Sequence, residues 1–395
     1  MSADRAAAFH PRSVARTTAA LLTAGLFVLL FAAGLLTLSQ DGHPLSIVDE
    51  HIHFDTAVLA TEGQIPYRGT VLGQALVQEW ACGVGHEAGP TTLPCGDPGL
   101  DADAIPSGKY STGYIHYPTY FFAAAAFEDV WTAVTGATDP LAAFRAFSAV
   151  TMIAGVLVCA AFAWALGLRG SRLIAATSLP VASSMIVLLG TVVNPASTVV
   201  LTGGLVAGTG LLWVRRGRGF VWFALAVGLS SAIAVTSTLP AGGFLLAMAA
   251  VLISRRVRAG LGGPWNPRWW HVVVIAALVV LPVWAWGRVI AARATIGNDV
   301  LYGFLPPSGP AELAVGVTRE LALLHTPWLE TMGIEARPDV LVAEIVHAFS
   351  TGAPIWITAL VFGGLVAVLV QARRGVDAAR HDGEALMTPR LSATR

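Results

Sequence analysis

Residues 117–134 read YPTYFFAAAAFEDVWTAV, and whether this stretch crosses a membrane decides the fold. It is apolar enough to tempt a span. However, Glu128 and Asp129 interrupt it, and Tyr117, Tyr120, Phe121, Phe122, Phe127 and Trp131 crowd along it. Counting it as a span would invert every later loop and put each later arginine cluster on the outer side, against the positive-inside rule. Residues 117–134 therefore read as an interfacial helix on the outer surface, entered by Pro118, whose fixed φ suits a first helical turn.

Working outward from that choice, the chain reads as an all-α polytopic membrane protein. Hydrophobic residues make up 55% of its 395 residues and charged residues only 12%, against roughly 25% charged in an average soluble domain. Apolar runs lie near 17–38, 141–168, 172–190, 195–214, 219–236, 239–254, 271–291 and 353–371. That makes about eight spans if each takes roughly 20 residues. Alternation then puts Arg169/Arg172, Arg215/Arg216/Arg218, Arg255/Arg256/Arg258 and Arg373/Arg374 on the side of the N-terminus. The expected layout is a cytoplasmic N-terminus (1–16), a transmembrane domain (17–371) and a cytoplasmic tail (372–395). Two large outer loops are expected, at 39–140 and 292–352. The first run is too long for a typical signal core and reads as an uncleaved span. No internal repeat and no compact soluble domain is expected. The arginine clusters are small and sit at helix ends, where they set topology, so nothing points to nucleic acid.

The first outer loop is acidic. Between Ser39 and Pro140 stand thirteen Asp or Glu residues against two basic ones, Arg68 and Lys109, the latter the only lysine in the chain. Cys82 and Cys95 lie in this loop among Gly and Pro, and an outer, oxidising location makes them a candidate disulfide. Cys159 lies within an apolar run and reads as packing.

Chemistry concentrates at Asp49-Glu50-His51-Ile52-His53-Phe54-Asp55. Carboxylates beside imidazoles can abstract a proton or hold a metal. On a helix over 49–61, His53 shares a face with Asp49, and Asp55 with His51. Asp49 and Glu50 are the candidate catalytic pair. Asp49 and His53, or Asp49, His51 and His53 together, are candidate ligands of a divalent ion, although the Asp49–His53 spacing lacks a third ligand elsewhere. The same carboxylates read equally as the acidic cap of an ordinary surface helix. A second cluster, Lys109 to Phe121, offers Lys109, His116, Tyr117 and Tyr120 as a lip for sugar and phosphate, or as a plain aromatic belt. Arg145 and Arg288 stand at outer span ends against the charge bias and are candidate partners of an anionic head group. Asn194-Pro195 lies on the outer side between two spans, as a site residue or a helix break. There is no phosphate-binding glycine loop and no dinucleotide fingerprint.

These motifs, in this order, resemble those of the GT-C superfamily of membrane glycosyltransferases. The closest likeness is to a bacterial family of predicted glycosyltransferases with a DE-x-x-HF first loop: here Asp49-Glu50-x-x-His53-Phe54, then Ala57 and Gly63. His116-Tyr117-Pro118-Thr119-Tyr120-Phe121 is similar to that family's aromatic-proline motif, with Thr119 in place of a second proline. Arg145 matches an arginine at the start of the second span, and Asn194-Pro195 an Asn-Pro at the outer end of the third. The likeness covers residues 17–215, and the remainder only in topology; the family usually has more spans. It implies sugar transfer from a polyprenyl-phosphate-linked donor on the outer face of a bacterial inner membrane, with Asp49 as general base. Glu50 or His53 would orient that base or hold a divalent ion. Lys109, His116, Arg145 and Arg288 would meet the phosphate. Implied partners are the lipid-linked sugar, membrane lipid and other envelope-biosynthesis proteins. The alternatives are a transporter or flippase for a lipid-linked sugar, and a non-catalytic subunit of an envelope-assembly complex.

Overall fold

A computed structural model describes residues 11–40, 42–45, 49–83, 94–105, 108–178, 184–234, 239–254 and 264–297. The expected eighth span (353–371), most of the outer loop 292–352 and the tail lie outside them. Among the described residues the fold is all-helical, with one isolated antiparallel bridge between Val71 and Tyr110.

The helices are α1 (Pro11–Ser39), α2 (Glu50–Thr61), α3 (Gln74–Cys82), α4 (Pro118–Thr135), α5 (Pro140–Ala165), α6 (Ser171–Ser178), α7 (Ser184–Leu189), α8 (Val199–Arg216), α9 (Phe220–Ile233), α10 (Leu239–Ile253) and α11 (Trp269–Arg293). Four stretches are long and apolar enough to cross a membrane: Leu21–Ser39, Pro140–Ala165, Pro195–Arg216 and Trp269–Arg293. The expected spans at 219–236 and 239–254 form helices of 14 and 15 residues. At a rise of about 1.5 Å per residue these fall short of a hydrocarbon core roughly 30 Å thick. The expected span at 172–190 is two short helices, α6 and α7. α4 is not among the four long apolar stretches, and it begins with Pro118 as its first turn requires.

α5 and α8 form the centre of the bundle, with α1 and α6 against α5 and α9 against both α8 and α11. Small residues set the α5–α8 approach: a Cβ on Gly155 would run into the Leu201 amide, and one on Gly208 into the Phe162 ring. Close backbone contact of this kind is how helices associate where the surroundings are as apolar as the side chains. At one end of the bundle Arg215 donates to the Leu166 carbonyl and Arg169 stacks over Trp164 at 3.5 Å. Two of the arginine clusters thus meet at the same end.

The opposite end carries the difference from expectation. The stretch expected to form the first outer loop packs into a cap with a core of its own. Ile52, Phe54, Leu72, Leu76, Val77, Trp80, Ile105, Tyr120 and Phe121 bury one another and close over Leu141 and Phe144 at the start of α5. α4 does not lie apart on a surface: it packs against α2, α5 and α9, and its Thr119 hydroxyl donates to the Ala232 carbonyl at 2.7 Å. Apolar residues scattered through 49–135, without a long run, marked this core only faintly.

Cys82 and Cys95 are joined in a disulfide that closes a loop of sequence separation 13 and ends α3. Constraining the unfolded chain over such a loop is worth roughly 3 kcal/mol. We predict that Cys82→Ser lowers the thermal midpoint of the detergent-purified protein, and that a thiol reductant does the same to the wild type. Identical melting curves with and without reductant would show that the bond contributes nothing.

Candidate functional site

The site is organised by Glu50, the first residue of α2. Its carboxylate receives Nε of Arg145 at 2.8 Å and Nη2 at 2.9 Å, a two-pronged ion pair, and also the Val193 backbone N–H at 2.9 Å. The remaining guanidinium donors of Arg145 go to the carbonyls of His43 at 2.8 Å and Pro44 at 3.1 Å. Both charged side chains are essentially without solvent exposure. Four separate segments therefore meet at one ion pair: the end of the α1 connection, α2, α5 and the turn before α8. Tyr120 extends the junction through its hydroxyl, 2.6 Å from Ser148 Oγ, with the Ser197 side chain and the Asn194 backbone also in reach.

The motifs singled out in the sequence are brought together here, with altered roles. Glu50 and Arg145 satisfy each other, so neither faces a ligand. Asn194 caps the short turn Pro195–Thr198 by accepting from Ala196 N at 2.8 Å. His53 lies edge-on to His116 at 4.7 Å and beside Phe121 at 5.9 Å, which joins the first motif to the second. His116, half-buried, lines a small depression with Thr56, Gly113, Pro118, Phe121 and Phe122. His51 sits edge-on to Trp80 at 5.0 Å, and Asp55 Oδ1 accepts the Gly73 N–H at 2.7 Å at the start of α3. Of the expected i, i+4 pairs, His51 and Asp55 both face α3, whereas His53 faces α4 and Asp49 is exposed. α2 is no surface helix with an acidic cap, since every residue from Glu50 to Ala57 is buried.

Lys109 and Arg288 are not brought to this point. Lys109 pairs with Asp103 at 3.0 Å on the exposed surface. Arg288 is exposed on α11. Among the described residues no three His, Cys, Asp or Glu side chains converge as metal ligands. Asp49, His51 and His53 point to different surroundings, so that candidate set is not assembled.

No protein-family model, curated protein or solved structure matches this chain. The GT-C likeness stays at the level of the ordered motifs.

Asp49 remains apart from the buried network. Its side chain makes no capping bond although it holds the N-cap position of α2, and the residue is exposed. Its backbone lies in the left-handed region at φ 61°, ψ −4°, the one non-glycine residue with positive φ among the described residues. Such a conformation costs about 1 kcal/mol or more, is best tolerated by Asn and Asp, and persists where neighbouring structure imposes it. The Asp49 carbonyl still accepts the first helical bond of α2, from His53 N at 3.0 Å. Loss of water beside the protein pushes the Asp49 carboxyl above its ordinary value. That makes it a stronger base.

Two predictions follow from the burial of these charges. Arg145→Ala leaves the Glu50 carboxylate buried without its counter-ion and should cost about 3–5 kcal/mol, whereas replacing both by apolar residues should restore much of the loss. Thermal melting of the single and double variants checks this; a single variant as stable as the wild type would remove the pair from the fold's foundations. The second prediction concerns pH. Burial drives His51 and His116 down to about 4 and lowers His53 as well. The unfolded imidazoles titrate near 6.5, so stability is complete above that pH and is lost as pH falls through 6.5 toward 4. Asp55, raised by burial to about 6, opposes this by disfavouring the fold as it ionises between about 4 and 6. Three histidines outweigh one carboxyl, so hydrogen-exchange protection of 50–61, corrected for intrinsic rate, should fall between pH 7 and pH 4.5. Constant protection over that range would mean the rings are not held neutral.

Proposed function

We propose that this chain is a membrane glycosyltransferase of GT-C type. With the four long apolar stretches as spans, and the shorter apolar helices counted with them toward about eight, both termini lie in the cytoplasm of a bacterial cell and the cap on the outer face of the inner membrane. It takes a sugar from a polyprenyl-phosphate-linked donor and passes it to an acceptor hydroxyl. The observation that carries this reading is Asp49: an exposed carboxylate in strained backbone, its basicity raised, held at the outer end of an apolar bundle by a buried ion pair. The gathering of Arg169 and Arg215 at the opposite end supports the orientation.

In the reaction, Asp49 accepts the proton of the acceptor hydroxyl as that oxygen bonds to the anomeric carbon. The carbon–oxygen bond to phosphate breaks, and polyprenyl phosphate leaves with the electron pair. Asp49 then returns its proton to water. Glu50 and Arg145 act as positioning residues, through the backbone, and His116 with Phe121 and Phe122 offers a small lip for the sugar.

A second reading is favoured by the internal use of so many polar groups. Glu50, Arg145 and Lys109 are each occupied by a partner within the chain, as a non-catalytic subunit of an envelope-assembly complex would have them.

Asp49→Asn separates the readings, because Asn tolerates the same backbone. With purified protein, labelled polyprenyl-phospho-sugars and a panel of acceptors, wild-type transfer should fall about 10²–10⁴-fold in the variant with an unchanged melting temperature. Undiminished transfer by Asp49→Asn would dismiss Asp49 as the base. Absence of transfer from the wild type, with co-purification of a larger transferase, would favour the subunit.

A further inference from the structure

His53 and His116 form a pair of imidazoles whose nitrogens the fold leaves without use. His53 is fixed on α2, its N–H bonded to the Asp49 carbonyl. His116 ends the short turn Gly113–Ile115, its N–H donating to the Gly113 carbonyl at 3.1 Å. Gly113 lets that turn come against α2, because a Cβ there would run into the Thr56 hydroxyl. The two rings are thereby brought edge-on, with centres 4.7 Å apart and planes at 72°. Phe121 closes the group, 5.9 Å from His53 and 6.4 Å from His116.

Three observations point to a guest between these rings. His53 is 2% exposed, and its Nδ1 has no hydrogen-bond partner among the described residues. A buried nitrogen left unpaired is costly, and a bound ion relieves it. His116 lines a depression with room for about one water molecule, and His53 stands one ring deeper. Burial also lowers the pKa of both rings. Each therefore keeps the neutral form, in which a nitrogen lone pair can ligate a metal.

The spacing suits one ion. A metal about 2.0–2.1 Å from an imidazole nitrogen lies roughly 3.2 Å from the ring centre. Ring centres 4.7 Å apart then subtend an angle of roughly 95° at the ion, between the octahedral and tetrahedral values. The kind of ion follows from the lining, which holds no carboxylate. Magnesium and calcium take oxygen ligands, whereas imidazole suits zinc, nickel and copper. No third His, Cys, Asp or Glu joins the pair among the described residues. The other coordination positions fall to water, or to an oxygen of a molecule entering the depression, as in metal sites that act on a ligand.

We propose that His53 and His116 bind one divalent ion from the zinc-to-copper end of the transition series, at the floor of the depression between α2 and α4. The site goes beyond the glycosyltransfer reading and does not rest on it.

The test uses the full-length protein in detergent, free of any histidine tag and stripped with a chelator. Zinc uptake is followed by calorimetry. Bound copper(II) is followed by pulsed electron paramagnetic resonance, which counts coordinated imidazoles. The wild type should take up zinc in the presence of excess magnesium, and its copper spectrum should show two imidazoles. His116→Gln removes one ligand at a half-buried position. Changes around a metal's ligands alone cost about 10–100-fold in affinity, so loss of a ligand should weaken zinc binding about tenfold or more. One imidazole should then remain on copper. His53→Gln should act alike, with melting curves to show that it folds; if it does not, His116→Gln decides alone. Zinc affinity unchanged in His116→Gln, fewer than two imidazoles on copper in the wild type, or displacement of zinc by magnesium overturns the proposal. No arm of the test measures sugar transfer, so its failure leaves the enzymatic reading untouched.

Discussion

The cap depends on the buried pair of Glu50 and Arg145. Neither ion can be held in such a place alone, because the desolvation of each is repaid only by the other and by the hydrogen bonds around them. Here those bonds come from Val193 and go to His43 and Pro44, so every polar arm of the pair reaches a different part of the chain. The consequence is geometric as much as energetic. A displacement of α2, α5 or the turn before α8 would break a charged contact with no water nearby to replace it. Apolar side chains could fill the same volume, yet they would not specify which backbone amide and which carbonyls must sit there.

That lock explains why α2 tolerates its neighbours. A helix with two imidazoles, a glutamate and an aspartate in its first six positions would ordinarily lie on a surface. It is buried because α3, α4 and the residues just before them supply counterparts: Trp80 for His51, His116 and Phe121 for His53, the Gly73 amide for Asp55. The histidines serve as neutral, flat packing elements, and neutrality is what burial enforces. His53 Nδ1 is buried without a hydrogen-bond partner among the described residues. Asp55 Oδ2 is buried without a hydrogen-bond partner among the described residues, in keeping with a carboxyl whose raised pKa favours its protonated form.

Much of this was legible in the sequence and some was not, for physical reasons. The helical class, the helix beginning at Pro118, the cysteine pairing and the importance of residues 49–55, 116–121, 145 and 194 all follow from local signals: apolar length, proline at a first turn, an oxidising location, and charge where charge is costly. Their meeting in space was suggested only by motif order. What local signals could not supply was partnership. Arg145 looked available to a ligand because nothing in its own neighbourhood neutralises it, whereas its counter-ion stands 95 residues away. Lys109 looked like a phosphate contact until Asp103 claimed it. The cap's core was hidden for a similar reason: its apolar residues come singly from several short elements, and no periodicity joins them.

Adjacent carboxylates at 49 and 50 then have separable duties. Successive side chains at a helix start diverge, so fixing one inward displays the other outward. In an ordinary N-cap conformation Asp49 would fold its carboxylate back onto the amides of α2 and lose its basicity to those bonds. In the left-handed backbone it adopts, its side chain makes no such bond. Asp49 is thus kept from the capping role that its position and type would otherwise give it. A carboxylate denied its own helix is available to something else.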